Sequence, residues 1–276
     1  MINILIETNE GLISQCPEYL TFSGGEEHIR LERYDIYDND RPIIINAQIT
    51  SSIEVMRLLL ITDSLRELYI NPIELWIPYI PYARQDRVCV DGDAFSLRVF
   101  ANIINSMDYS AVRVVDAHSN VAIDLLNNVI ETKQYFMVPF VNSRLRSIDY
   151  IISPDAGAKN KAKEWVNEWN KIADKKAELV QAFKVRDDNG NIVNTEIEHD
   201  NFNGGSCLIV DDICDGGRTF FELSRVLRDR GAGNVYLYVT HGIFSKGIKA
   251  TGCDKVFTTN SLPEKDDGRI VVRRFF

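Results

Sequence analysis

The sequence predicts an α/β protein made of two mainly parallel sheets, each flanked by helices. Two observations carry that expectation. The first half alternates short apolar runs rich in β-branched residues with segments of helical periodicity, and the second half repeats the alternation. The second half also holds a stretch, 206–227, in which four apolar residues (Cys207 to Val210) run unbroken into Asp211-Asp212. A short loop with two glycines follows, then helical spacing at Phe220, Leu223, Val226 and Leu227, ending at Gly231. That order is buried strand, acidic turn, tight loop, helix.

In the first half, residues 2–6 read as a short strand and 42–47 as a buried one. Val55, Met56, Leu59, Leu60 and Leu68 space as a helix across 53–69. The next strand, 73–77, is halted by Pro78. A helix over 95–105 and a strand over 112–115 complete the alternation. Ligands of such sheets sit beyond the carboxyl ends of the strands. After the strand at 73–77 comes Pro-Tyr-Ile-Pro-Tyr-Ala-Arg-Gln-Asp-Arg, 78–87. Two prolines fix an extended path there, and Arg84, Gln85 and Arg87 suit a nucleotide's phosphates and base edges. An ordinary polar surface loop has the same composition. After the strand at 112–115 comes Asp116-Ala117-His118. A lone histidine is commonly structural, but this one stands just past a strand end.

The second half opens with a strand at 150–152 that leads into Asp155-Ala156-Gly157. A helix from about 158 places Ala162, Trp165, Val166, Trp169 and Ile172 on one face, where the aromatics are most simply core. Residues 183–193 read as two short strands around an Asn-Gly turn. Lys184 and Arg186, at i and i+2, would point to the same side of a regular strand, as two cations on one polyphosphate require. Later strands are expected at 235–239, 254–257 and 270–272. In the loop 215–219, Gly216 and Gly217 let backbone N–H groups turn towards an anion, and Thr219 adds a hydroxyl at the helix start. Carboxylates repel phosphate, so Asp211 and Asp212 make sense if the ligand carries hydroxyls at one end and phosphate at the other. A plain strand-turn-helix with solvated acids remains the alternative. A domain boundary is expected near 140, at Val138-Pro139, giving domains 1–140 and 141–276.

Composition narrows the partners. The net charge of −9 argues against nucleic acid, whose backbone needs a basic face, but not against a small phosphorylated ligand. No apolar run approaches the roughly 20 residues of a membrane span. Residues 1–7 lack the basic start and cleavage site of a signal peptide and read as a first strand. The five cysteines form no C-x-x-C pair, so reduced thiols and a cytoplasmic location are expected.

The motifs together resemble the ribose-phosphate pyrophosphokinase family. The resemblance rests on 78–87, on Asp-x-His at 116–118, on Ser-Pro-Asp-Ala-Gly at 153–157, and on Lys-x-Arg at 184–186. The pentose-phosphate loop at 211–219, Thr-His-Gly-Ile-Phe-Ser at 240–245 and Phe-Ser-Gly-Gly-Glu at 22–26 extend it over nearly the whole chain. It implies two tandem phosphoribosyltransferase-type (type I) domains. It also implies transfer of the diphosphoryl group of ATP to the 1-hydroxyl of ribose 5-phosphate, with Mg2+ as cofactor.

The site residues implied are as follows. Lys184, Arg186 and His118 would be catalytic, with Mg2+ on His118 and Asp155. ATP would lie on Phe22, Glu26, Arg84, Gln85, Asp86 and His118. Asp211 and Asp212 would take the ribose hydroxyls, and Asp215, Gly216, Gly217, Arg218 and Thr219 the 5-phosphate. The resemblance further implies a homo-oligomer built from dimers, a hexamer, in which the loop of Phe22 and Glu26 completes a neighbour's ATP site.

The match also departs from the family. Gly24 replaces the usual Asp or Asn, residues 88–96 are more acidic than usual, the loop at 155–161 has one glycine where two are usual, and Arg218 replaces a small residue. The chain is shorter than typical relatives, so altered or absent regulation by phosphate and nucleoside diphosphate is expected. A nucleobase phosphoribosyltransferase would share the 206–219 motif but lacks the Arg-Gln-Asp element. A catalytically silent regulatory homologue is opposed by the retention of His118, Asp155, Lys184 and Arg186.

Overall fold

The structure, a computed structural model, describes every residue except 37, 146, 187–191 and 276, and gives only the backbone at 184–186 and 192–194. The chain folds as two units, residues 1–132 and 133–275.

The first unit runs β1 (Ile2–Thr8), β2 (Gly11–Gln15), β3 (Glu18–Thr21), β4 (Glu27–Arg30), β5 (Ile43–Ala47), α1 (Ser52–Leu68), β6 (Ile73–Trp76), α2 (Ser96–Ser106), β7 (Ala111–Val115), α3 (Asn120–Leu125) and β8 (Val129–Thr132). Its six-stranded sheet has the order β2-β1-β5-β6-β7-β8. From β5 to β8 the pairs are parallel, and β1 pairs antiparallel with both β2 and β5. Alternation along β1 buries Ile2, Ile4 and Ile6 against Leu58, Ile61 and Leu65 of α1 and Phe100 and Ile104 of α2. Each such side chain contributes about 1.5–3 kcal/mol on burial. Ser51 caps α1 by accepting from the Glu54 N–H. Strands β3 and β4 form a separate two-stranded hairpin.

The second unit runs α4 (Val138–Asn142), β9 (Tyr150–Ser153), α5 (Lys159–Ile172), β10 (Glu178–Arg186), β11 (Ile192–Ile197), β12 (Cys207–Cys214), α6 (Arg218–Asp229), β13 (Val235–Gly242), β14 (Lys255–Thr259) and β15 (Ile270–Arg273). Its seven strands lie in the order β11-β10-β9-β12-β13-β14-β15, parallel except for the β10–β11 pair. The central strand β12 is buried on both faces. Leu208 and Val210 pack with Trp165 and Trp169 of α5 and Tyr238 of β13, whereas Cys207 and Ile209 pack with Phe220, Leu223 and Leu227 of α6. The two tryptophans are core, as their spacing led us to expect.

The segment 138–139, which reads in sequence as a boundary, lies within the second unit. Pro139 falls in the first turn of α4, where its missing N–H costs nothing, and Val138 and Val141 are buried against Trp165. The β10–β11 pair is present, while its expected Asn-Gly turn lies outside the described residues. No helix among the described residues is long and apolar enough to cross a membrane.

Candidate functional site

In the first unit the candidate residues follow β6 and β7, at the carboxyl ends of adjacent parallel strands. The Val115 N–H donates to the Pro78 carbonyl (3.0 Å), tying the loop after β6 to the end of β7. Ile80, Pro81 and Ala83 are buried and anchor this loop, which leaves Arg84, Gln85 and Arg87 exposed. Two backbone bonds, Ala83 N–H to Ile80 O (3.2 Å) and Gln85 N–H to Tyr82 O (2.8 Å), tighten it. Tyr82 sits at φ 63, a left-handed conformation costly for a residue with a side chain. Its ring packs 5.9 Å from Phe100 and its hydroxyl shares a hydrogen bond with Ser52 (3.2 Å), which holds the conformation in place.

After β7 the chain turns sharply. Asp116 is buried at φ 45 and its N–H donates to the Thr132 carbonyl (2.8 Å), while the Ala117 N–H donates to Glu131 Oε1 (3.1 Å). These bonds present His118 at the surface. Arg84, Gln85, Asp86, Arg87 and His118 line one cavity of about 610 Å³. Cys89, Asp93 and Ser96 line it too. Sequence reasoning missed these three because they belong to a stretch with no motif of its own.

Phe22 and Glu26 do not line this cavity; they form the turn between β3 and β4. The Phe22 N–H donates to the Glu26 carbonyl (2.8 Å) and the Gly25 N–H to the Phe22 carbonyl (2.9 Å). Phe22 is 53% exposed, with the His28 ring 5.9 Å from its own. A Cβ at Gly24 would meet Glu26 Oε2 at 2.5 Å, so the glycine lets that carboxylate fold back over the turn. Arg57 of α1 holds the hairpin from outside the turn. It bonds Glu27 at 2.6 Å and lies 4.4 Å above the Tyr19 ring, and its hydrogen bond lowers the Glu27 carboxyl below the ordinary range.

In the second unit the candidates follow β9 and β12. The Ser153 hydroxyl donates to the Asp155 carbonyl (2.7 Å), and Asp155 Oδ1 accepts from the Ala158 N–H (3.1 Å) at the start of α5. On β12 the alternation of the core continues into the acid pair, so Asp211 steps to the α6 face and Asp212 to the α5 face. Lys161 of α5 accordingly lies 3.8 Å from Asp212 Oδ2. The Asp212 N–H donates to Asp211 Oδ1 (2.9 Å). Burial, then the charge of Asp212, and also the charge of Asp155 push the Asp211 carboxyl well above its ordinary range. The sequence marks Lys161 only as the end of the 155–161 loop; its pairing with Asp212 is made by packing of α5 on the sheet.

The loop that follows is fixed from below. The Cys214 carbonyl accepts from the N–H groups of Ile243 (2.9 Å) and Phe244 (3.1 Å), and the Asp215 carbonyl from Ser245 (3.2 Å). Gly217 has φ +77 and ends the loop as the N-cap of α6. A Cβ there would lie 2.7 Å from the Ala250 carbonyl oxygen, so no other residue fits without a backbone shift. Arg218 and Thr219 then open a 12-residue helix whose first N–H groups have no intrahelical partner. The 240–245 motif serves as the loop's support. His241 is buried, its Nδ1 sharing a hydrogen bond with Ser261 (2.8 Å), and Phe244 folds at φ 46 with its ring against Gly242.

Lys184 and Arg186 lie on β10, paired with Thr195 and Ile192 of β11, with a shift of register between Val185 and Arg186. Their side chains lie outside the described residues. His118 belongs to the first unit and Asp155 to the second. Among the described residues, no group of three or more His, Cys, Asp or Glu side chains is arranged to hold a metal ion.

Comparison with known proteins matches both units. Residues 11–107 match the N-terminal domain of ribose phosphate pyrophosphokinase, and residues 198–270 match a phosphoribosyl synthetase-associated domain. The chain is 27% identical over 258 residues to a ribose-phosphate pyrophosphokinase of Pyrococcus furiosus, covering 89% of this chain and 86% of that one. It is 28% identical over 256 residues to one of Helicobacter pylori, covering 88% and 76%. The fold superposes on a phosphoribosylpyrophosphate synthetase from Mycobacterium smegmatis with a TM-score of 0.77 at 21% identity, over 94% of this chain and 86% of the other.

Proposed function

We propose that this chain, which belongs to the ribose-phosphate pyrophosphokinase family, is a ribose-phosphate diphosphokinase. It transfers the diphosphoryl group of ATP to the 1-hydroxyl of ribose 5-phosphate, giving phosphoribosyl pyrophosphate and AMP. The 1-hydroxyl oxygen attacks the β-phosphorus and loses its proton. The bond from that phosphorus to the α–β bridging oxygen breaks, and AMP leaves with that oxygen. The observation that carries the reading is a family match on both units, with the acid pair of β12 and the glycine loop before α6 inside the second matched range.

Such a displacement needs positioning and charge neutralisation more than a covalent nucleophile. Arg84, Gln85 and Asp86 would hold ATP at the mouth of the first-unit cavity, with His118 beside its phosphates. Phe22 and Glu26 would take the adenine, and the exposure of Phe22 at the tip of the β3–β4 hairpin suits a ring that stacks on a ligand held by a neighbouring subunit. Lys184 and Arg186 would stabilise the transferring group. Asp211 and Asp212 would accept from the ribose hydroxyls, and 215–219 would receive the 5-phosphate on the first N–H groups of α6. The raised Asp211 carboxyl fits a site prepared for neutral hydroxyls, since two full charges side by side without a ligand are costly.

Mg2+ is the implied metal. His118 and Asp155 are each proposed as ligands, and one imidazole with one carboxylate suits an ion that keeps waters and takes phosphate oxygens. Its contribution when bound is to neutralise polyphosphate charge. A homo-oligomer in the cytoplasm completes the reading.

The experiment is to supply purified protein with ATP and ribose 5-phosphate and no nucleobase. AMP release is expected; its absence under those conditions, with release of diphosphate from phosphoribosyl pyrophosphate once a base is added, would make the chain a nucleobase phosphoribosyltransferase instead.

A further inference from the structure

We infer that Lys246 is a binding residue for the 5-phosphate end of the pentose site, an inference that rests on the proposed binding of ribose 5-phosphate at 215–219. The two glycines of that loop have different surroundings. Gly217 is required by its φ of +77 and by the Ala250 carbonyl 2.7 Å from where its Cβ would be. Gly216 is outside the left-handed region and meets no backbone. The atoms nearest to a Cβ there are Lys246 Cδ at 3.8 Å and Cε at 3.9 Å. The lysine tail therefore lies across the face of Gly216, with its ammonium one bond beyond Cε.

Lys246 is carried by a segment stitched to the loop itself, through the bonds from Ile243, Phe244 and Ser245 to Cys214 and Asp215. The turn closes on Gly247, at φ +75, whose N–H donates to the Phe244 carbonyl (2.9 Å). The lysine is exposed and has no carboxylate partner among the described residues, so its charge is available to a ligand. Electrostatics gives it a task. A helix N-terminus supplies roughly half a positive charge, whereas a phosphate monoester brings close to two negative ones into a loop flanked by Asp211, Asp212 and Asp215. A lysine ammonium covers a large part of that deficit as a flexible point charge.

The test uses the full-length protein. Ribose 5-phosphate binding is measured by calorimetry without ATP, and steady-state kinetics with ATP. Lys246→Met is expected to raise both Kd and KM for ribose 5-phosphate about tenfold, with kcat and the KM for ATP unchanged within about twofold. Lys246→Arg should recover most of the loss. A Lys246→Met protein that binds ribose 5-phosphate as the wild type does, or loses ATP and ribose 5-phosphate equally, or is not improved by arginine, overturns the inference and makes Lys246 a solvated surface lysine. Wild-type protein that shows no binding of ribose 5-phosphate at all overturns the pentose-phosphate reading of the loop instead.

Discussion

The strand-end loops of the two units solve different electrostatic problems. In the first unit the loop after β6 buries Ile80, Pro81 and Ala83 and leaves Arg84, Gln85 and Arg87 exposed, with exposed His118 from the loop after β7 lining the same cavity. In the second unit the loop after β12 offers backbone N–H groups, with two acids on the strand before it: Asp212 buried, and Asp211 kept above its ordinary range by desolvation and its neighbours. A highly charged ligand suits flexible cations that can follow it, while a small sugar phosphate suits a rigid cradle that fixes its orientation. Single substitutions should therefore act differently in the two units. Side-chain truncation should matter most on the polyphosphate, and backbone strain should matter most on the pentose.

The largest expected effect is at β10. Lys184→Ala should lower kcat by about 100-fold or more, on the order of 3 kcal/mol of transition-state stabilisation, while ribose 5-phosphate affinity changes little. Stopped-flow or steady-state AMP release checks it, and an equally large loss of ribose 5-phosphate binding would place the residue on the wrong side of the comparison. Next is Gly217→Ala, which must strain a φ of +77 and push against the Ala250 carbonyl. A cost of about 1–3 kcal/mol is expected, read as a lower Tm and as a raised KM for ribose 5-phosphate with the KM for ATP unchanged. A rise in the KM for ATP alone would erase the distinction between the units.

A smaller effect is expected from mixing subunits. Neither Phe22→Ala/Glu26→Ala protein nor Lys184→Ala protein should be active alone, but their mixture should regain part of the activity if the hairpin completes a neighbour's site. Subunits that exchange without any recovery, or an active monomer in sedimentation, would confine each site to one chain.

The acid pair and its loop were legible in the sequence because a doubly buried strand is an unbroken apolar run, and because glycines mark the turn that starts α6. The alternation of strands and helices from β5 to β7 was legible for the same reason. The β1–β2 hairpin was not, since its turn residues, Asn9 and Glu10 before Gly11, lack a strong hairpin signature and β2 is mostly exposed. Short α3, under two helical turns long, has no room for a 3.6 period to show, and the edge strand β8 alternates half-buried and exposed residues over only four positions. Val138-Pro139 reads as a domain boundary, although Pro139 falls in the first turn of a helix. Lys161 beside Asp212 and Lys246 over Gly216 arise only from tertiary packing, which no local pattern records.

The smallest effect is on the thiols, and it sharpens the contrast between an open first-unit mouth and a closed second-unit core. Cys16 and Cys89 are exposed, whereas burial pushes the Cys207, Cys214 and Cys253 thiols up to about 12. A thiol reagent at pH 8 should therefore modify Cys16 and Cys89 in the folded protein and reach the other three only on unfolding. ATP should slow modification of Cys89, which lines the cavity, and leave Cys16 unaffected. Because the three folded-state values lie above the unfolded one, their contribution to stability is complete below about pH 8.5 and is lost as pH rises through 12. Reaction of all five at equal rates in the folded state would contradict the closed core.

A diphosphoryl group, and not a single phosphoryl group, should pass to the anomeric oxygen. Phosphorus NMR of a reaction containing ATP and ribose 5-phosphate tests it directly. One AMP should appear for each new diphosphate resonance coupled to the sugar's anomeric proton, with the 5-phosphate signal retained. Formation of ADP with a monophosphorylated anomeric carbon would contradict the claim, as would free diphosphate appearing with AMP while the ribose 5-phosphate stays unchanged.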